Sequence, residues 1–150
     1  MNNSVWKNYV ANEYCFYKAA KQLGTVSFKN GQANLLNVAQ SFIPATVNYA
    51  FAAELGLKII IIKEKDDIKH IHELDKLLSE LSNTANHFIL STVSNGLSIA
   101  EDEVLMLTQT HSKAFSDWRY FVFNQKSISV NFLVKFCDAI YQYIGKELSK

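Results

Sequence analysis

Charged side chains interrupt two predicted helix faces that are otherwise apolar. Glu54 and Lys58 lie four residues apart on the same face as Phe51 and Ile61, in the favourable Glu-to-Lys order. Arg119, the only arginine among 15 basic residues, also falls on an apolar helix face. A charge inside a core is costly unless it is paired. We therefore predict that Glu54 is buried and contacts Lys58, Arg119 or both.

These charges allow two interpretations. Glu54, Lys58 and Arg119 would form a buried ion network that fixes the register of packed helices. Alternatively, they would form a site that handles a phosphate or a substrate, because buried networks and functional sites perturb charges alike. Trp118 and Tyr120 flank Arg119 and could stack a base, although aromatic residues in a helix more often belong to the core.

The histidines give little indication of a metal site. His70 and His72 are two residues apart, a spacing that does not share a helix face, and no third ligand accompanies them. We expect His72 to be a partly buried imidazole at a helix N-terminus. Cys15 falls on a polar helix face and Cys137 on an aromatic one, so neither is predicted to be a nucleophile. No metal and no cofactor are predicted.

Composition predicts an ordinary globular domain. The 150 residues are 49% hydrophobic and carry a formal net charge of +1, which suits one domain over residues 1–150 and argues against a disordered chain or a dedicated polyanion binder. The N-terminus does not resemble a secretory signal, and the longest apolar run near Lys58, Ile59–Ile62, is far shorter than a membrane span. We therefore expect a cytoplasmic protein with reduced cysteines and no membrane partner.

Hydrophobic periodicity and scarce Gly and Pro predict an all-α bundle of about five to six helices. Six longer helices are predicted over about residues 6–23, 44–63, 71–81, 98–109, 112–123 and 129–148, with two short helical pieces over about 33–40 and 88–93. Gly24 is expected to end the first, and Pro44 to open the central helix, which is apolar nearly all round. Ser98 and Glu101 are expected to form a capping box.

Three short motifs occur in a defined order. They are Asn48-Tyr-Ala-Phe-Ala-Ala-Glu-Leu-Gly-Leu-Lys58, His72-Glu-Leu-Asp-Lys-Leu-Leu78 and Phe115-Ser-Asp-Trp-Arg-Tyr120, followed by a final amphipathic helix. Over about residues 44–144 this order resembles the HEPN superfamily of small bacterial helical domains. The resemblance is to the branch with an AFxxELxLK helix, an HxLxxL helix start and a late RY pair.

The resemblance implies a bundle of four to five helices, often dimeric, encoded in defence and toxin–antitoxin systems. Many HEPN domains are metal-independent RNases with an Arg-x4-6-His motif. In this chain Asn124, Gln125 and Lys126 occupy the positions of that His after Arg119, so the nuclease motif is absent. The residues carried over by position form a polar binding cluster: Glu54, Lys58, His72, Arg119 and Tyr120.

The resulting prediction is a non-catalytic, HEPN-like protein of a bacterial conflict system that binds a protein partner. That partner would be a toxin or effector, which the protein neutralises as an immunity protein or antitoxin; RNA or nucleotide binding and a homodimer are secondary expectations. The alternative is a metal-independent RNase or nucleotide-binding enzyme with a non-standard site. In that enzyme His72 would be the general acid/base, while Lys58 and Arg119 would hold the phosphate. A structural oligomerisation domain is a third option.

Overall fold

The computed structural model describes residues 3–28, 35–67, 69–113 and 129–148, and every regular element in those ranges is a helix. The six helices are α1 (Asn3–Phe28), α2 (Leu35–Lys65), α3 (Leu74–Ser79), α4 (Asn83–Leu97), α5 (Glu101–Thr110) and α6 (Val130–Leu148). The prediction of an all-α bundle of about five to six helices is confirmed. The predicted helix over 112–123, with Arg119 and Tyr120, lies largely outside the described residues.

Helix α2 is the centre of the bundle, as its apolar composition predicts. Every residue from Ala52 to Ile62 is buried, because α2 packs against α1, α3 and α6. Gly56 permits the close approach of α6, since a Cβ atom at that position would lie 2.4 Å from Ile140 Cγ2. A charged residue in this stretch of α2 is consequently held inside the core.

Helix α1 runs antiparallel to α2. Phe16 packs edge-on against Phe51 with ring centroids 4.5 Å apart, and further toward the N-terminus of α1 the Glu13 side chain lies beside Gly56. This pairing places the first turns of α1 next to the last turns of α2. A cleft forms there between α1 and α6.

Helix α6 has the two-sided character that its sequence predicts. Its apolar side is buried and comprises Phe132, Leu133, Phe136, Ile140, Tyr143 and Ile144. Its polar stripe is exposed or half-buried and comprises Asn131, Lys135, Asp138, Gln142 and Lys146. The clear separation of the two sides explains why this helix could be located closely from sequence.

Two predicted helix boundaries are wrong. Gly24 does not end the first helix, because α1 continues to Phe28; a glycine inside a helix costs only about 1 kcal/mol relative to alanine. Pro44 does not open the central helix but lies inside α2, which begins at Leu35 and merges the predicted helices over 33–40 and 44–63. Pro44 is exposed, which suits a residue that interrupts one backbone hydrogen bond of a continuing helix.

The predicted capping box is also wrong. Ser98 ends α4 in the left-handed conformation, with φ 57°, and the residue that precedes α5 is Ala100, whose side chain makes no capping hydrogen bond. The helix predicted over 88–93 is longer than expected because Ser82 provides an N-cap, its Oγ accepting from the Ala85 N–H at 3.3 Å. Ser98, three residues before Glu101, therefore ends one helix and does not start the next.

One helix has a membrane-like composition. Ile43–Lys65 is long and apolar enough to cross a bilayer, yet 78% of its most apolar window is buried inside the protein. The core helix of a bundle has the same length and composition. The cytoplasmic location stays a prediction.

Candidate functional site

Glu54 holds two basic side chains through a single carboxylate oxygen. Its Oε1 accepts a hydrogen bond from Lys58 Nζ at 2.9 Å and lies 2.9 Å from His72 Nδ1. Glu54 is only 2% exposed and Lys58 only 7%. The prediction that Glu54 is buried and contacts Lys58 is confirmed. We refer to Glu54, Lys58 and His72 as the Glu54 cluster.

Two different parts of the chain build the cluster. Glu54 and Lys58 are one turn apart on the core side of α2, where their spacing places them on the same face. His72 comes from the non-helical residues that precede α3, which begins at Leu74 rather than at Ile71 as predicted. Glu73 is extended, with ψ 121°, and the Leu74 N–H donates to the Ser112 carbonyl at 3.0 Å, so the end of this segment is tied to the residues that follow α5.

The His72 ring is anchored at one edge and open at the other. Its side chain is 69% exposed, so the prediction of a partly buried imidazole is wrong. An ionised carboxylate can only accept hydrogen bonds, so Nδ1 must carry the proton that it shares with Glu54. The contact therefore orients the exposed ring through its Nδ1 edge.

The second oxygen of Glu54 is an open acceptor. Oε2 is buried and has no hydrogen-bond partner among the described residues. A buried carboxylate oxygen in an apolar setting favours a cationic or N–H donor. Arg119, the predicted partner, lies outside the described residues together with Tyr120, so their places in the cluster stay predictions.

Other sequence candidates do not join the cluster. His70 is exposed on the same segment, and within the described ranges no three His, Cys, Asp or Glu side chains are grouped as metal ligands. Cys15 is an exposed free thiol and Cys137 a buried one. Burial raises the pKa of Cys137 well above its ordinary value, which keeps it protonated.

Sequence reasoning missed one buried acid. Glu13 in α1 is 1% exposed, and its Oε1 has no hydrogen-bond partner in the described part of the chain. Burial raises the pKa of Glu13 to about 7. Helical periodicity could have identified Glu13, because this acid falls between Val10 and Tyr17 on the apolar face of α1. Glu54 was identified in the same way, as a charged residue on an apolar helix face.

His111 connects two helices, a structural role that its position in the sequence did not indicate. The imidazole is buried at the end of α5, where Nδ1–H donates to the Leu107 carbonyl at 2.7 Å and Nε2 accepts from the Ser129 N–H at 2.8 Å. Burial lowers the pKa of His111, so the ring is neutral. His111 thereby ties the end of α5 to the residue before α6.

No protein-family model, curated protein or solved structure matches this chain. The resemblance to the HEPN superfamily therefore stays a prediction based on its three short motifs.

Proposed function

We propose that this protein is a non-catalytic binding protein of a bacterial conflict system, of the immunity or antitoxin type, which recognises a toxin or effector protein through a surface centred on His72. One observation carries the proposal: an imidazole 69% exposed is held at 2.9 Å from a carboxylate 2% exposed. An exposed side chain that is already oriented loses little conformational freedom when it binds. His72 is thus suited to the centre of a contact surface.

The charges of the Glu54 cluster favour binding over cleavage. Cleavage of RNA needs a base, an acid and a cation that stabilises the phosphorane. Among the described residues of the cluster there is one exposed imidazole, and Lys58 is buried and already paired with Glu54. A phosphate would have to compete with Glu54 for that ammonium.

A second candidate function is supported by the same His72 contact. A carboxylate that accepts from Nδ1 fixes the tautomer in which Nε2 takes a proton, as in the acid–base pairs of hydrolases. The alternative is therefore a metal-independent RNase or nucleotide-binding enzyme, with His72 as general base and Lys58 and Arg119 as phosphate contacts.

Photocrosslinking in the producing cell tests the first proposal. A photoreactive amino acid replaces His72 in the full chain, and the control carries it at His87, which is 75% exposed elsewhere on the bundle. We expect position 72, and not position 87, to crosslink to one defined protein. The Kd for that purified protein should rise at least about tenfold in His72→Ala and stay unchanged in His87→Ala.

Three results would contradict the binding proposal. Equal crosslinking from both positions would show that the His72 surface is not specific. Crosslinking only between two copies of this chain would replace the toxin or effector by a homodimer. RNA cleavage by the wild type that disappears in His72→Gln would establish the enzymatic alternative instead.

A further inference from the structure

A cleft of about 360 Å³ lies between the N-terminal half of α1 and the C-terminal half of α6. Its apolar walls include Trp6, Val10, Tyr14, Tyr141 and Ile144. None of its lining residues belongs to the Glu54 cluster. This volume is within the range of clefts that hold small molecules. We call it the Glu13 cleft, after the one acidic residue among its described lining residues.

Glu13 is the buried acidic group of this largely apolar site. Its side chain is 1% exposed, it lines the cleft, and Oε1 lacks a hydrogen-bond partner among the described residues. An unpaired buried acceptor is destabilising, and such groups are uncommon in native proteins. A donor supplied by a ligand would remove that cost.

We propose that the Glu13 cleft binds a small organic ammonium ion, whose N–H donates to Glu13 Oε1 and whose apolar body lies against Tyr14 and Tyr141. Both tyrosine rings line the cleft, with centroids 6.2 Å apart and ring planes inclined at 33°. Aromatic faces attract cations, and the Tyr14 ring already faces one, since Lys18 Nζ is 5.3 Å from its centroid.

The charges around the cleft narrow the ligand class. Ionised Glu13 repels an anion, and a neutral alcohol would gain the hydrogen bond without the charge pairing. Lys7 also lines the cleft and is exposed, so it repels a cationic ligand, and each further positive charge on the ligand would add to that repulsion. A monovalent ammonium with an aromatic or aliphatic body meets all three conditions.

The binding should depend on pH in a defined direction. Burial holds the pKa of Glu13 at about 7 in the free protein, so part of the population is neutral at that pH. An ammonium ion favours the ionised carboxylate, and its binding therefore releases a proton at acid pH. Affinity should rise as the pH increases from about 5.5 to 8 and then level off.

Calorimetric titration of the full chain with three probes of similar shape tests this proposal. The probes are 2-phenylethylammonium, neutral 2-phenylethanol and anionic 3-phenylpropanoate. We expect the ammonium to bind best and to bind at least about tenfold more weakly to Glu13→Gln. Glu103→Gln, which changes an exposed acid on α5, is the matched control and should bind like the wild type.

A second variant blocks the space and leaves the carboxylate. Gly145 lines the cleft, and a Cβ there would have no atom within 4 Å, so Gly145→Leu should fill the cleft without disturbing the helix packing. It should abolish ammonium binding while circular dichroism stays unchanged. Equal or tighter binding of the alcohol or the anion, full binding by Glu13→Gln or Gly145→Leu, or no heat with the ammonium would each overturn the proposal.

Discussion

The carboxylate of Glu54 and the imidazole of His72 meet at 2.9 Å across 18 residues of chain. The contact joins the most buried part of α2 to an exposed ring in the segment before α3. A change at the buried end should therefore be detectable at the exposed end. The same carboxylate oxygen also holds Lys58, so the two basic groups are coupled through Glu54.

Glu54→Ala should lower the free energy of unfolding by about 3–5 kcal/mol, because it leaves the Lys58 ammonium buried without its partner. Urea unfolding followed by circular dichroism measures the loss. The control is Glu54→Leu combined with Lys58→Met, which removes both charges and should recover most of the stability. An unchanged midpoint in Glu54→Ala would show that this face of α2 is hydrated.

Glu13→Gln should stabilise the protein at neutral and alkaline pH. Because the folded protein holds the Glu13 proton to about pH 7 and the unfolded chain releases it near 4.5, wild-type stability falls as the pH rises between these values. The shift corresponds to about 3 kcal/mol, which the variant should recover at pH 8. Urea unfolding between pH 4.5 and 8 measures it, and parallel pH profiles for the two proteins would contradict it.

His111 should make the protein less stable in acid, so that the free energy of unfolding decreases as the pH falls. Its pKa is lowered in the folded protein, so the unfolded chain binds the proton more readily and stability falls as the pH drops below about 6.5. The effect is best measured in the Glu13→Gln background, because Glu13 titrates over the same range with the opposite sign. His111→Gln should flatten the acid limb, whereas the exposed His87→Gln should leave it unchanged.

Gly56→Ala should destabilise the packing of α2 on α6 by about 1–3 kcal/mol, since the added Cβ would lie 2.4 Å from the buried Ile140 Cγ2. In an Ile140→Ala background the same substitution should cost less, and the double-mutant cycle measures that coupling. Gly145→Ala, whose Cβ meets no atom within 4 Å, should instead be neutral or slightly stabilising. Equal effects at the two glycines would contradict the close approach.

The purified protein should not cleave RNA. Asn124, Gln125 and Lys126 follow Arg119 where a HEPN nuclease would carry its histidine, and none of these side chains is a good acid or base near neutral pH. The assay is incubation with mixed tRNA and mRNA at about pH 6–8 with a chelator, beside Arg119→Ala. Cleavage by the wild type that is lost in Arg119→Ala would refute the prediction and make His72 the candidate general base.

Local spacing was sufficient to predict part of this protein. The two sides of α6 follow from helical periodicity alone, and so does the Glu54–Lys58 contact, because residues four apart on a helix meet wherever that helix lies. The central place of α2 follows from its lack of a polar face. Each of these features depends on residues within one helix.

The remaining features required the tertiary arrangement. Helix α2 continues through Pro44 and α1 through Gly24, since propensity is a weak local preference that tertiary context overrides. The pairing of His72 with Glu54 depends on where the segment before α3 crosses α2. The burial of Glu13 depends on α1 and α6 packing around it. Such contacts join residues far apart in the chain, and no local pattern encodes which helix faces meet.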